Sequence, residues 1–125
     1  EAAVLKDVPT AWRSTKERFQ AALRQPGAMD REVRGPGGRA MPLRMMVGIL
    51  PIEVMLHGWD IARGSGMSTD LDPELAHRLL ETGRPMLDRF GRGTAFGPEQ
   101  PAPAAAPNAD RLAALYGRSL ETLSD

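Results

Sequence analysis

The sequence predicts a mainly α fold, a helix bundle with at most one short hairpin. Three observations predict it. Apolar residues recur at helical spacing in separate segments. Those segments are bounded by proline, glycine and capping residues. At 125 residues the chain is long enough for one compact domain with a modest core. Residues 1–125 are therefore expected to form one domain, with 91–107 as a loop within it.

The first helix is expected from about Thr10 to Arg24. Thr10 follows Pro9 as a plausible N-cap, and Trp12, Phe19, Ala22 and Leu23 recur at helical spacing. Gln25-Pro26-Gly27 stops it. Between Asp30 and Ala40 the only large apolar residue is Val33, and Gly35-Pro36-Gly37-Gly38 is a turn cluster, so this stretch reads as a short irregular hairpin or loop. A second helix is expected from Pro42, suited to a first helical turn, to about Arg63. Pro51 lies inside it and removes a hydrogen bond to the carbonyl of Val47, so a kink or a split is expected there. Asp72-Pro73-Glu74 then supplies an N-cap, a first-turn proline and a first-turn acid in order. The helix it opens runs to about Phe90 with Leu75, Leu79, Leu80 and Leu87 as its apolar stripe, weakened by Gly83 and Pro85. Gly91 to Pro107 has no periodicity and reads as an ordered loop or a surface tether. A last short helix from about Ala109 to Gly117, capped by Asn108, packs through Leu112, Leu115 and Tyr116, and the tail beyond it is expected to fray.

Composition narrows the function. Aromatics are 5% of the chain, which leaves the packing to aliphatic residues and methionine. Sixteen basic residues balance 16 acidic ones, so there is no electrostatic drive toward nucleic acid or an anionic membrane. The apolar run from Met45 to Leu56 is interrupted by Gly48, Pro51 and Glu53 and falls short of a membrane span. The first residues carry no basic region followed by an apolar stretch, so a cytoplasmic protein is expected. Cysteine is absent, which removes disulfides, cysteine-ligated zinc and a cysteine nucleophile. Abundant Arg, Ala, Gly and Pro with few Lys suggests a bacterial genome rich in GC.

One spacing carries chemistry. Glu53 and His57 stand four apart on the second helix, so both side chains lie on one face. A carboxylate and a neutral imidazole so placed can grip a divalent metal: zinc, nickel, iron or manganese. The same spacing also describes a solvated pair on an exposed helix. The apolar neighbours Ile49, Leu50, Ile52, Val54, Met55, Leu56 and Ile61 argue for a buried or half-buried Glu53, which then needs a partner. Trp59 could wall a pocket or pack in the core. Asp60 shares the broad stripe of Glu53 and His57. It could orient a ligand from behind or pair with Arg63 or Arg44. His77, with Glu74 and Glu81 beside it, reads as part of a solvated face, yet it is the one other internal histidine. The glycine clusters lack the strand and helix of a phosphate loop, and no Ser–His–acid arrangement has support.

The string Pro51-Ile-Glu-Val-Met-Leu-His-Gly-Trp-Asp-Ile-Ala-Arg-Gly-Ser-Gly66, followed by Thr69-Asp-Leu-Asp-Pro-Glu-Leu75, resembles the actinobacterial branch of the DinB-like four-helix bundles. That branch includes the N-terminal domain of mycothiol-dependent maleylpyruvate isomerase. Phe96-Gly-Pro98 and Asp110-Arg-Leu112 look similar too, and the likeness extends loosely from Ala11 to Gly117. The resemblance implies an up-down bundle that binds one divalent metal, usually zinc, through an early-helix histidine and an acid–x3–His pair that maps onto Glu53 and His57. It implies a metal acting as Lewis acid on a low-molecular-weight thiol such as mycothiol, in isomerase or transferase chemistry on a small-molecule substrate, with Asp60, Trp59 and Arg63 as pocket or supporting candidates. It further implies that two helices and the first histidine ligand precede the matching region. The chain has no histidine before His57, so a shortened bundle is expected. Its third ligand would come from a partner chain, His77 or water, and its uncovered apolar face would favour homo-oligomers or missing helices supplied in trans. The alternative expectation is a non-catalytic helical bundle with an incomplete metal site that binds itself or a partner.

Overall fold

The computed structural model describes residues 7–35 and 38–121. In chain order these form helix α1 (Val8–Leu23), a single 3-10 turn (Ala28–Asp30), strands β1 (Glu32–Arg34) and β2 (Ala40–Pro42), and helices α2 (Leu43–Gly64), α3 (Pro73–Phe90) and α4 (Asn108–Leu115). The mainly α expectation holds. The contacts divide the chain into two compact units, Glu1–Gly48 and Ile49–Asp125, with the boundary inside α2.

In the first unit, Asp7 caps α1 in place of the expected Thr10. Its Oδ1 accepts the backbone N–H of Thr10 at 3.0 Å, and hydrogen bonding to Thr10 holds the Asp7 carboxyl below its usual range. The cap moves upstream because Pro9 lacks an N–H and fits the first turn, where none is needed. No residue of α1 is buried. The expected hairpin is present: β1 and β2 pair antiparallel, with Glu32 opposite Pro42, Val33 opposite Met41 and Arg34 opposite Ala40. Pro42 thus ends a strand where a helix start was expected. Of the glycine turn, Pro36 and Gly37 lie outside the described residues. Arg44 pairs with Asp30 across the foot of the hairpin.

The core lies in the second unit. Ile52, Met55, Leu56 and Trp59 of α2 pack with Ala76, Leu79 and Leu87 of α3 and with Ala109, Leu112, Ala113, Leu115 and Tyr116 around α4. Of the kink or split expected at Pro51, the split does not occur, for α2 is one continuous helix with Pro51 inside it. Pro51 is exposed, so its ring and the hydrogen bond it forfeits lie away from the core. Helix α3 starts as expected, with Asp72 Oδ1 accepting the N–H of Leu75 at 3.0 Å. Gly83 has a packing reason: a Cβ there would stand 2.9 Å from the Tyr116 hydroxyl oxygen.

Asn108 is the first residue of α4, not its cap. Its amide donates to the carbonyl of Pro73 at 3.2 Å and ties the starts of α3 and α4 together. The loop 91–107 is ordered by named bonds. Arg84 forks onto Glu99 at 3.0 and 2.6 Å. That fork holds Glu99 below the usual carboxylate range and raises Arg84. Arg92 donates to the carbonyls of Gly97 and Leu115 at 3.0 and 2.5 Å, and the N–H of Gln100 reaches Ala114 at 2.9 Å. Phe96 stands edge-on to Tyr116, with ring centroids 4.8 Å apart. Gly117 lets the loop approach, since at φ +92° a Cβ would lie 2.8 Å from the backbone of Gly97.

The expected fraying does not hold as far as Glu121. Arg63 donates to the carbonyls of Leu120 and Glu121 at 2.7 and 2.8 Å, and Arg118 is forked onto Asp60. The rest of the tail lies outside the described residues. By length and composition alone α2 is long and apolar enough to cross a membrane, contrary to the interrupted run read from the sequence. One of its faces nevertheless packs into the core.

Candidate metal-binding site

The candidate residues lie on successive turns of α2 where the helix passes along the core. Ile52, Met55, Leu56, Trp59 and Ala62 fill its buried face. That leaves Glu53, His57 and Asp60 on the adjoining accessible side. Glu53 is half-buried, while Asp60 and His57 are more open. His57 Nε2 stands 3.6 Å from Glu53 Oε2, and His57 Nδ1 stands 3.7 Å from Asp60 Oδ2. The imidazole is thus bracketed by carboxylates, one turn behind and one turn ahead.

Asp60 is held in turn. The Nε and Nη2 atoms of Arg118 donate to its two oxygens at 3.0 and 2.9 Å, a bidentate fork. This partner lies 58 residues away in sequence. The expected pairings with Arg63 and Arg44 do not form: Arg63 holds the chain end, and Arg44 holds Asp30. Arg63 also stacks its guanidinium over Trp59, 5.5 Å from the ring centroid. Trp59 is a core residue, and its indole N–H donates to Asp110 Oδ1 at 2.6 Å. His77 stands on α3 beside Glu81 of its own helix at 3.6 Å, both exposed, as the solvated-face reading expects.

Sequence reasoning missed Tyr116 as more than packing. It is buried, and among the described residues its hydroxyl has no hydrogen-bond partner. Burial pushes the phenol pKa up, the negative charge of Glu53 pushes it further, and Arg92 opposes them. A buried polar residue one position past an apolar helix was the available signal. For Arg118 no local signal existed.

Glu53 and His57 fit a divalent metal as two adjacent ligands, Nε2 beside Oε2. Among the described residues, no group of three or more His, Cys, Asp or Glu side chains is gathered where all could hold one ion. Asp60 lies on the other nitrogen of the imidazole and is committed to Arg118.

No family model matches the chain, and no solved structure matches it significantly. Two uncharacterized proteins of Mycobacterium tuberculosis, Rv0738 and MT0763, are each 40% identical to it over 97 residues, which is 76% of this chain and 53% of either relative. The chain spans about half the length of the curated relatives it matches.

Proposed function

We propose that the chain is a DinB-like, divalent-metal-binding helical domain of the maleylpyruvate isomerase N-terminal type, working in the cytoplasm as part of a thiol-dependent transferase or isomerase. The single observation that carries the metal reading is the bracketing of His57. A histidine that ligates through one nitrogen is ordinarily oriented by a carboxylate at the other. Here Nδ1 faces Asp60, itself fixed by the Arg118 fork, and Nε2 faces the carboxylate of Glu53. A solvated i,i+4 pair needs no such support.

In this reading Glu53 and His57 hold the metal, zinc foremost, and Asp60 sets the tautomer and orientation of the imidazole. Arg118 holds the Asp60 carboxylate in place. Trp59 and Arg63 fix this stretch of α2 against the core and the chain end. The bound metal would supply Lewis acidity toward a small thiol such as mycothiol. With no cysteine in the chain, the thiol would have to be brought by a cofactor.

Metal analysis of the purified chain tests the reading. Stoichiometric zinc, removed by chelator and greatly reduced by Glu53→Ala, supports it. A chain that holds no stoichiometric metal, or a Glu53→Ala variant that takes up as much as the wild type, sinks it.

The second reading, a non-catalytic bundle that associates through an exposed face, draws on a different observation: Val54 and Ile61, on the same helix, are 72% and 70% exposed.

A further inference from the structure

Residues 118–121 form no helix or strand, so side chains decide where this segment lies. Two arginine contacts hold it on α2, and they run in opposite directions. Arg118 of the segment forks onto Asp60 of the helix at 3.0 and 2.9 Å. Arg63 of the helix donates to the carbonyls of Leu120 and Glu121 of the segment at 2.7 and 2.8 Å. Asp60 and Arg63 are three apart and therefore neighbours on the helix surface. The grip has a firm base: the Arg63 guanidinium lies over the buried Trp59 ring, and Leu120 packs against the core.

Asp60 joins this grip to His57. Its Oδ2 takes the Arg118 Nη2 donor at 2.9 Å and also stands 3.7 Å from His57 Nδ1. A carboxylate has about four lone-pair sites, so it can serve both donors and need not choose between them. A neutral imidazole carries one N–H, on either nitrogen. In the metal-free chain that proton can sit on Nε2, which faces Glu53. Ligation through Nε2 leaves it on Nδ1, where Asp60 is the acceptor. An Asp60 already fixed by Arg118 gives that acceptor without a fresh loss of side-chain freedom. The same interaction read from the other side makes a filled metal site favour an Asp60 held where Arg118 can reach it.

We infer that docking of the Arg118–Glu121 segment on α2 and occupancy of the Glu53–His57 site by a divalent metal are coupled, each strengthening the other; this rests on the metal reading above. Arg118 and Arg63 are positioning residues in this coupling. Arg118 acts through Asp60. Arg63 acts one step further out: by holding Leu120 and Glu121 it keeps Arg118 near Asp60, and it touches neither Glu53, His57 nor Asp60. By linkage the two effects are reciprocal: the factor by which metal tightens docking is the factor by which docking tightens metal.

Nuclear magnetic resonance on the wild-type chain, first in chelator and then with zinc, tests it without any variant. The Arg118 Nε–H is donated to Asp60 only while the segment is docked, so its exchange with water reads docking directly. Zinc should slow that exchange about 5-fold or more, the lower end of ordinary coupling between sites. As a second arm, Arg63→Ala should speed the exchange in chelator and weaken zinc binding in calorimetry about 5-fold, with all of Glu53, His57 and Asp60 present and far-ultraviolet dichroism still helical. Zinc that binds the wild type and leaves the Arg118 Nε–H exchange unchanged overturns the coupling and leaves the metal reading standing. So does an Arg63→Ala chain whose Arg118 exchange is faster but whose zinc affinity equals that of the wild type. A wild-type chain that takes up no zinc overturns both.

Discussion

Helix α1 in the first unit and helix α4 in the second make an instructive pair. Each carries apolar residues at helical spacing. Yet no residue of α1 is buried, while Ala109, Leu112, Ala113, Ala114 and Leu115 of α4 are all buried. Periodicity says which side of a helix is apolar. Burial depends on whether the chain supplies something to cover that side. The loop 91–107, α3 and α2 do so for α4.

The largest expected effect follows from that contrast. Leu112→Ala should cost about 2–5 kcal/mol by opening a cavity at a fully buried site, a large part of the stability of a small domain. Trp12→Ala, the larger truncation, should change stability by no more than about 0.5 kcal/mol in dilute, monomeric protein. Denaturant melts of the two variants break the comparison if Trp12→Ala is the costlier change.

A second test sharpens it within the core. Gly83→Ala should gain about 1 kcal/mol of helix propensity. It should lose more, about 1–3 kcal/mol, by forcing a Cβ against the Tyr116 hydroxyl. Tyr116→Phe removes the atom in the way and a buried hydroxyl that has no partner among the described residues. The double variant should therefore be more stable than Gly83→Ala alone, a coupling that a double-mutant cycle reads directly. Additive effects would mean that the close approach is not what keeps glycine there.

The smallest effect concerns the loop that covers α4. Glu99 is held below the usual carboxylate range by Arg84, so its contribution is present above the unfolded value, about 4.3. It is lost as pH falls through the lower folded value. Because Glu99 is about two-fifths exposed, solvent screening keeps that contribution under about 1 kcal/mol. Glu99→Gln should lower the melting temperature slightly at neutral pH and not at all in strong acid. A difference that persists unchanged into acid would assign the fork no role.

How much of this was legible in the sequence depends on range. The start of α3 was readable, because Asp72, Pro73 and Glu74 act on backbone within one turn. The leucines of α3 and α4 were readable from spacing. Asp7 was missed as a cap because Pro9-Thr10 looked like a start, though Pro9 belongs inside the first turn. The order of the loop was only half legible: no local pattern announces that Arg84 grips Glu99 or that Arg92 reaches Leu115. The Glu53–His57 pair was legible from its spacing and from the resemblance around it. Its support was not, since Arg118 reaches Asp60 from 58 residues away. Asp60 itself was readable as a candidate orienting residue, but with the wrong arginine beside it.

The claim that matters most is that Glu53 and His57 grip a metal while Asp60 and Arg118 set the imidazole. Zinc titration by calorimetry on the wild type, Glu53→Ala, His57→Ala, Asp60→Asn and Arg118→Ala tests all of it at once. The account predicts saturable binding by the wild type, greatly reduced binding by Glu53→Ala and none by His57→Ala. It predicts affinities weakened about 10- to 100-fold in Asp60→Asn, with Arg118→Ala falling between that variant and the wild type. Equal binding by the wild type and His57→Ala would contradict it.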